Sequence, residues 1–126
     1  MMTKSKQNVF STELIGSTLV VTPLGDAIGF RYNQIHTETN GLTELLDKHN
    51  VENLIIDFGA VEIVGSIIIS SIVRLARKIT GRHGKAAFCN ASSTMQDVVQ
   101  TMNLTRLWPY YDSREAAIAA FASSEL

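Results

Sequence analysis

The sequence is poor in features that would tie it to an extracellular or membrane setting. It contains one cysteine, Cys89, so no internal disulfide can form, and a single thiol fits a reducing cytoplasm. No apolar run approaches the roughly 20 residues that span a bilayer. The opening residues MMTKSKQN are not followed by an apolar stretch, which does not fit a signal peptide. We therefore expect a cytoplasmic protein with no membrane contact.

Residue patterns typical of enzymes and nucleic-acid-binding proteins are also scarce. The three histidines, His36, His49 and His83, are scattered without metal-ligand spacing. There is no glycine-rich phosphate-binding motif and no visible pairing of an acid with a base or of a nucleophile with a base. The net charge is only −1, so the domain as a whole does not attract nucleic acid. The sequence predicts a non-enzymatic protein with no metal, no cofactor and no nucleic-acid partner.

The pattern of apolar residues predicts one α/β domain. Its length of 126 residues fits a single domain, in which we expect residues 1–8 to form a flexible tail. Alternation of strands and helices after an N-terminal hairpin implies a mostly parallel sheet with helical cover. The predicted elements are a hairpin of residues 9–15 and 18–23 with a type II′ turn at Gly16-Ser17, a helix within 30–50 that Gly41 weakens, a buried strand at 54–57, a helix from Ser66 to Ile79, a strand at 84–91, a helix capped by Ser92 or Ser93, a short strand within 108–111, and a last helix capped by Ser113.

The helix that begins at Ser66 is strongly amphipathic. At about 100° per residue, Ser66, Ser70, Ser71, Arg74, Arg77 and Lys78 share a polar arc. The opposite arc is apolar and should lie on the sheet. We expect the core to include Leu54, Ile55, Ile56, Ala87 and Phe88 of the strands, with Ile68, Ile72, Leu75 and Ile79 packed on them.

Two residues at the start of this helix can each be interpreted in two ways. Ile67 projects within the polar arc, so it either packs under a neighbouring loop or is presented to a partner. Ser66 is expected to cap the helix through its side-chain oxygen. The same serine is also placed to accept a phosphate, because free backbone N–H groups and the helix dipole favour an anion there.

Three segments follow one another in a recognisable order: NLIIDFGAVEIVGS, GKAAFCN and MNLTRLWPYYDSREAAIAAF. In this order they resemble the STAS domain family, which includes the bacterial anti-sigma-factor antagonists. With the hairpin included, the resemblance covers nearly the whole chain. It implies an STAS-like, mostly parallel β-sheet with an N-terminal β-hairpin, covered by about four helices.

The resemblance also implies a function. In the family, a serine at the position of Ser66 is phosphorylated by a partner serine kinase that is also the anti-sigma factor. The unmodified form binds this kinase through the loop and the start of the helix and so releases the sigma factor. The contact residues implied here are Gly65, Ser66, Ile67, Ser70 and Arg74. The sequence departs from the family pattern, since Gly65 stands at the usual Asp and two isoleucines follow where the family has small residues.

Two further hypotheses stay open at this point. In the first, the domain is an unphosphorylated scaffold or self-associating module that uses its isoleucines in a constitutive interface. In the second, it senses a small anion or nucleotide at the helix terminus that carries Ser66.

Overall fold

The computed structural model describes residues 9–25 and 32–123, so the predicted tail at 1–8 lies outside the described residues. Five strands and four α-helices occur in this part of the chain. A short 3-10 turn at Leu104–Arg106 precedes the last strand. The elements are β1 (Phe10–Ile15), β2 (Thr18–Pro23), α1 (Tyr32–Lys48), β3 (Asn53–Asp57), α2 (Ser66–Thr80), β4 (Lys85–Cys89), α3 (Ser93–Thr101), β5 (Tyr110–Tyr111) and α4 (Arg114–Ser123).

The strands form one sheet in the order β1-β2-β3-β4-β5. β1 and β2 are antiparallel, and all later neighbours are parallel. The hairpin turn has a φ of 60° at Gly16, while Ser17 has no positive φ. A positive φ at the first central residue alone is the type II′ pattern, so this predicted turn is confirmed. The predicted fold class is confirmed as well.

The sheet is covered on both faces because side chains alternate along each strand. Leu54, Ile56 and Phe88 face the larger cluster, in which α1, α2 and α3 bury their apolar sides. Ile55 and Ala87 point the other way and pack with Ala117 and Phe121 of α4. All nine predicted core residues are buried, although Ile55 and Ala87 lie on the face opposite α2.

Helix α1 runs without interruption through Gly41 from Tyr32 to Lys48. A Cβ placed on Gly41 would meet no atom within 4 Å, so this glycine is not required by close packing. The helix is held instead by buried Ile35, Leu42 and Leu46. Within the described ranges, no helix is long and apolar enough to cross a bilayer.

Candidate functional site

Ser66 is the first residue of α2 and does not cap it. The N-cap is Gly65, whose φ of −80° and ψ of 173° are extended, and no side chain accepts a hydrogen bond from the free N–H groups of the first turn. The predicted capping role of Ser66 is therefore wrong. The helix begins one residue earlier than that role requires, so the capping position falls to Gly65, which has no side chain.

The outer surface of α2 is a narrow polar strip. Ser66, Ser70, Arg74 and Arg77 are exposed and follow one another along the helix. In the part of the chain that the structure describes, the hydroxyl of Ser66 makes no hydrogen bond. Arg74 donates to the side-chain oxygen of Asn40 on α1 at 2.6 Å. The structure thus brings Gly65, Ser66, Ser70 and Arg74 of the predicted site onto one accessible surface, which we call the α2 strip.

Ile67 lies at the border of the α2 strip and is partly buried rather than solvent-exposed. It packs against the main core cluster and lines a shallow groove of about 150 Å³ between α1 and α2, together with His36 and Arg74. Ser71, which was predicted to be polar surface, is buried on the same side. The placement of Ser71 on the surface was wrong, whereas the partial burial of Ile67 favours the packed one of its two interpretations, with α1 rather than a loop as the neighbour. A helical wheel cannot show which flank of α2 a neighbouring helix covers.

Among the described residues, the groove beside the start of α2 is small for a nucleotide. The groove beside Ile67 holds about 150 Å³, whereas small-molecule sites are usually about 300–1,000 Å³. A cavity of about 710 Å³ lies at the amino ends of β3 and β4, where Asn53 and Lys85 line it. Those ends are opposite to the carboxyl end of β3 from which the Ser66 loop departs.

The loop from Phe58 to Gly65 connects β3 to α2 and begins at a buried carboxylate. Asp57 accepts a hydrogen bond from the Gly59 N–H at 2.8 Å, which turns the chain sharply after the strand. Its oxygens also accept from the Asn90 amide at 3.1 Å and 3.2 Å and from Arg114 Nε at 3.0 Å. Asp57 therefore joins the ends of β3 and β4 to the first residue of α4.

Arg114 completes a charge cluster around Asp57. A second guanidinium nitrogen donates to Glu13 of β1 at 2.6 Å. Partial burial acts to lower the pKa of Arg114, but the hydrogen bonds and charges of Asp57 and Glu13 outweigh it and raise that pKa above its ordinary value. Sequence reasoning missed this cluster, because Asp57 and Arg114 are 57 residues apart and no motif joins them.

Cys89 lies beside this cluster on the α4 face of the sheet and is fully buried. Burial raises the pKa of its thiol to about 12, and the negative charge of Asp57 acts in the same direction. The thiol therefore stays protonated and unreactive near neutral pH. Among residues 9–25 and 32–123, no group of three or more His, Cys, Asp or Glu side chains is placed to hold a metal ion.

Comparison with solved structures shows the same fold in several bacterial proteins. A candidate anti-sigma factor antagonist from Thermotoga maritima aligns with a TM-score of 0.77 and 16% identity, covering 90% of this chain and 94% of that one. An anti-sigma factor antagonist from Mycobacterium paratuberculosis aligns with a TM-score of 0.73 and 18% identity, covering 90% and 92%. The anti-sigma factor antagonist SpoIIAA of Bacillus, in its unphosphorylated form, aligns with a TM-score of 0.66 and 18% identity, covering 88% of this chain and 94% of that one.

Sequence comparison identifies the family to which the chain belongs. No curated protein sequence matches this chain significantly. The family model of the STAS domain, however, matches residues 10–117, which include every described strand and the first turn of α4. The chain belongs to the STAS domain family.

Proposed function

We propose that this protein is a non-enzymatic, protein-binding regulator that acts as an anti-sigma-factor antagonist. Its partner is an anti-sigma factor that is also a serine kinase, and the contact surface is the α2 strip with Ile67 at its border. The unmodified protein binds the kinase and frees the sigma factor. Phosphorylation of Ser66 breaks the complex. The observation that carries the proposal is the exposed Ser66 hydroxyl, which no structural hydrogen bond occupies within the described residues.

The chemistry of the α2 terminus supports phosphate at Ser66. The first turn carries no acidic side chain and its free N–H groups have no side-chain cap, so a phosphate meets the positive end of the helix dipole. The added charge of about −1.5 to −2 lies beside the polar strip and changes how a partner can dock there. Among solved structures of the same fold, SpoIIAA has been determined in both unphosphorylated and phosphorylated forms, which supports phosphorylation as a modification of this fold.

Because Gly65 has no side chain, the groups that assist phosphoryl transfer must come from the partner. A carboxylate next to the serine could assist proton removal or metal binding, and this chain has none at that position. The kinase must then supply the base and the Mg²⁺ ligands itself. Gly65 has a φ of −80°, a value that any residue adopts, so the glycine is not imposed by the backbone.

Contact with the kinase is expected to be mainly polar. Ser70 and Arg74 are exposed next to Ser66, whereas Ile67 is partly buried and contributes only its outer edge. This geometry argues against the open alternative in which the isoleucines form a constitutive apolar interface. The isoleucines at 68 and 69 are buried against the sheet.

The proposal is tested with purified protein and each anti-sigma serine kinase of the same organism. Binding is measured by calorimetry for the wild type, Ser66→Ala, Ser66→Asp and the matched control Ser93→Ala, which changes an exposed serine at the first position of α3. Kinase and ATP are then added, and the modified residue is mapped by mass spectrometry. We expect the wild type and Ser66→Ala to bind one kinase, Ser66→Asp to bind at least tenfold more weakly, and phosphate to appear on Ser66 alone.

Three results would contradict parts of this proposal. A stable complex in ATP with no phosphate on any residue would favour the unswitched scaffold. Phosphate on Ser70 in place of Ser66 would show that the modified residue has been assigned wrongly. Failure of the wild type to bind any of these kinases would reject the proposed partner class.

A further inference from the structure

Ser92 makes two hydrogen bonds at once, and they serve different parts of the molecule. As the N-cap of α3, its Oγ accepts a hydrogen bond from the Met95 N–H at 3.0 Å. The same Oγ donates its own proton to the backbone carbonyl of Glu62 at 2.7 Å. Glu62 lies in the loop that leads to Gly65 and Ser66, so one side chain joins the start of α3 to the approach to α2.

The bond to Glu62 is the main polar anchor of the second half of this loop. Among the described residues, it is the only hydrogen bond that joins residues 62–65 to an element other than α2, whose Ile69 N–H donates to the Gly65 carbonyl. The apolar anchor is Val64, which is 4% exposed, while Ile63 is 41% exposed. Without the Ser92 bond, the backbone just ahead of Gly65 would be held by one buried side chain.

The turn that carries Ser92 is held by hydrogen bonds of the two preceding residues. Asn90 donates to Asp57 at the end of β3, and the Ala91 N–H donates to the Tyr110 hydroxyl of β5 at 3.0 Å. Three successive residues, 90 to 92, therefore bind three different segments of the chain. Because this turn is fixed on two other sides, Ser92 holds the loop in place and does not simply follow it.

Ser113 provides an internal comparison. It also precedes a helix, and its Oγ accepts from the Ala116 N–H at 3.0 Å, the same spacing and distance as at Ser92. Among residues of the described part of the chain, Ser113 makes no side-chain bond to a loop. The donated bond to Glu62 is thus an addition at Ser92 that capping does not require.

We propose that Ser92 is a positioning residue for the Ser66 site: its donated hydrogen bond fixes the backbone of residues 62–65, and recognition of Ser66 by the partner kinase depends on it. This inference rests on the proposed function for its second half only. The first half, the fixing of the loop, concerns the free protein and can be measured without any partner.

Substitutions at position 92 separate the two bonds. In Ser92→Asp, an ionised carboxylate still caps α3 but has no proton to donate to Glu62. Ser92→Thr keeps both bonds and serves as the rescue variant. Ser113→Ala removes a cap of the same kind at a distance from the loop and serves as the matched control.

The experiment is amide hydrogen exchange of the free, full-length variants, followed by kinase binding. We expect Ser92→Asp to stay folded, with an unfolding midpoint no lower than that of Ser113→Ala, and to exchange the amides of residues 60–65 about fivefold faster, as the loss of one hydrogen bond predicts. Ser92→Thr and Ser113→Ala should leave loop exchange unchanged. Kinase affinity and the rate of Ser66 phosphorylation should fall severalfold in Ser92→Asp and return in Ser92→Thr.

Unchanged loop exchange in Ser92→Asp would overturn the inference, because the bond would then not hold the loop. Faster exchange with unchanged kinase affinity would overturn it too, since the loop position would not matter to the partner. If the wild type binds no kinase, the proposed function fails together with the second half of the inference. The exchange data then still decide the first half.

Discussion

The amino-terminal ends of α2 and α3 lie near each other and are built in opposite ways. α3 begins after Ser92, whose side chain accepts a hydrogen bond from the first turn. α2 begins after Gly65, which has no side chain to offer, and the serine that follows points its hydroxyl to solvent. Ser92 therefore stabilises the start of its helix, whereas the Ser66 hydroxyl takes no part in capping α2.

The stability of α2 comes from its buried face rather than from a cap. Capping by a side chain is worth about 1 kcal/mol, and α2 does without it. The buried face of α2 more than compensates, since Ile68, Ile72 and Ile79 are at most 1% exposed. A helix fixed by its apolar side can present an unused hydroxyl at its end.

The largest expected effect comes from breaking the apolar support of α2. Ile72→Ala should lower the free energy of unfolding by about 2–5 kcal/mol, because the side chain is 1% exposed and its loss leaves a cavity. The matched control is Ile63→Ala in the loop, where the side chain is 41% exposed and the loss should stay below about 0.5 kcal/mol. Urea denaturation measures both, and equal losses would mean that α2 does not depend on this face.

The next effect concerns the cluster that holds the start of the Ser66 loop. Arg114→Leu should lower stability by about 2 kcal/mol, because the carboxylate of Asp57, with a side chain 6% exposed, loses its cationic partner. The control is Arg106→Leu, a change of the same chemistry at an exposed position on the 3-10 turn. A loss at Arg114 no larger than at Arg106 would show that the cluster is not a structural support.

A smaller effect is expected from removing the hydroxyl of a serine that caps a helix, compared with one that does not. Ser113→Ala should cost about 1 kcal/mol, since the Ala116 N–H loses its acceptor. Ser66→Ala should change stability by less than about 0.5 kcal/mol, because Ser66 is exposed and is not the N-cap. Chemical denaturation of the two variants side by side checks this, and a cost at Ser66 as large as at Ser113 would restore a structural role for Ser66.

The smallest effect comes from giving α2 the cap that it lacks. Gly65→Asp should raise stability by a few tenths of a kcal/mol, because the extended backbone at Gly65 accepts an Asp and its carboxylate can bind the free N–H groups. The same change places a carboxylate beside Ser66 and should speed its phosphorylation. Denaturation and a phosphorylation time course measure the two consequences separately, and a destabilised variant would contradict the N-cap geometry.

Much of the fold could be predicted from local patterns. Apolar runs predicted β3 and β4, and Gly16 predicted the hairpin turn. Ser113 was identified as a cap, and Ser92 was one of the two serines proposed to cap α3. Each of these features is decided by residues that are neighbours in the sequence. Helix α1 also runs where its apolar spacing placed it, since packing outweighs the cost of Gly41.

The features that could not be predicted depend on distant parts of the chain. The burial of Ser71 and the partial burial of Ile67 are imposed by α1, which the α2 sequence does not reveal. The bond between Asp57 and Arg114 and the bond between Ser92 and Glu62 join residues 57 and 30 positions apart. Capping by Gly65 differs from the prediction by one residue, which is within the usual uncertainty of a helix boundary.

The central claim is that the Ser66 hydroxyl serves chemistry rather than folding. The most direct measurement is mass spectrometry of the protein purified from its native cell, with the modified peptide mapped to single residues. The account predicts a fraction of molecules with one phosphate, on Ser66, and none on Ser70 or on the capping serines Ser92 and Ser113. Protein that is never phosphorylated under any growth condition, or that carries its phosphate on another serine, would contradict the account.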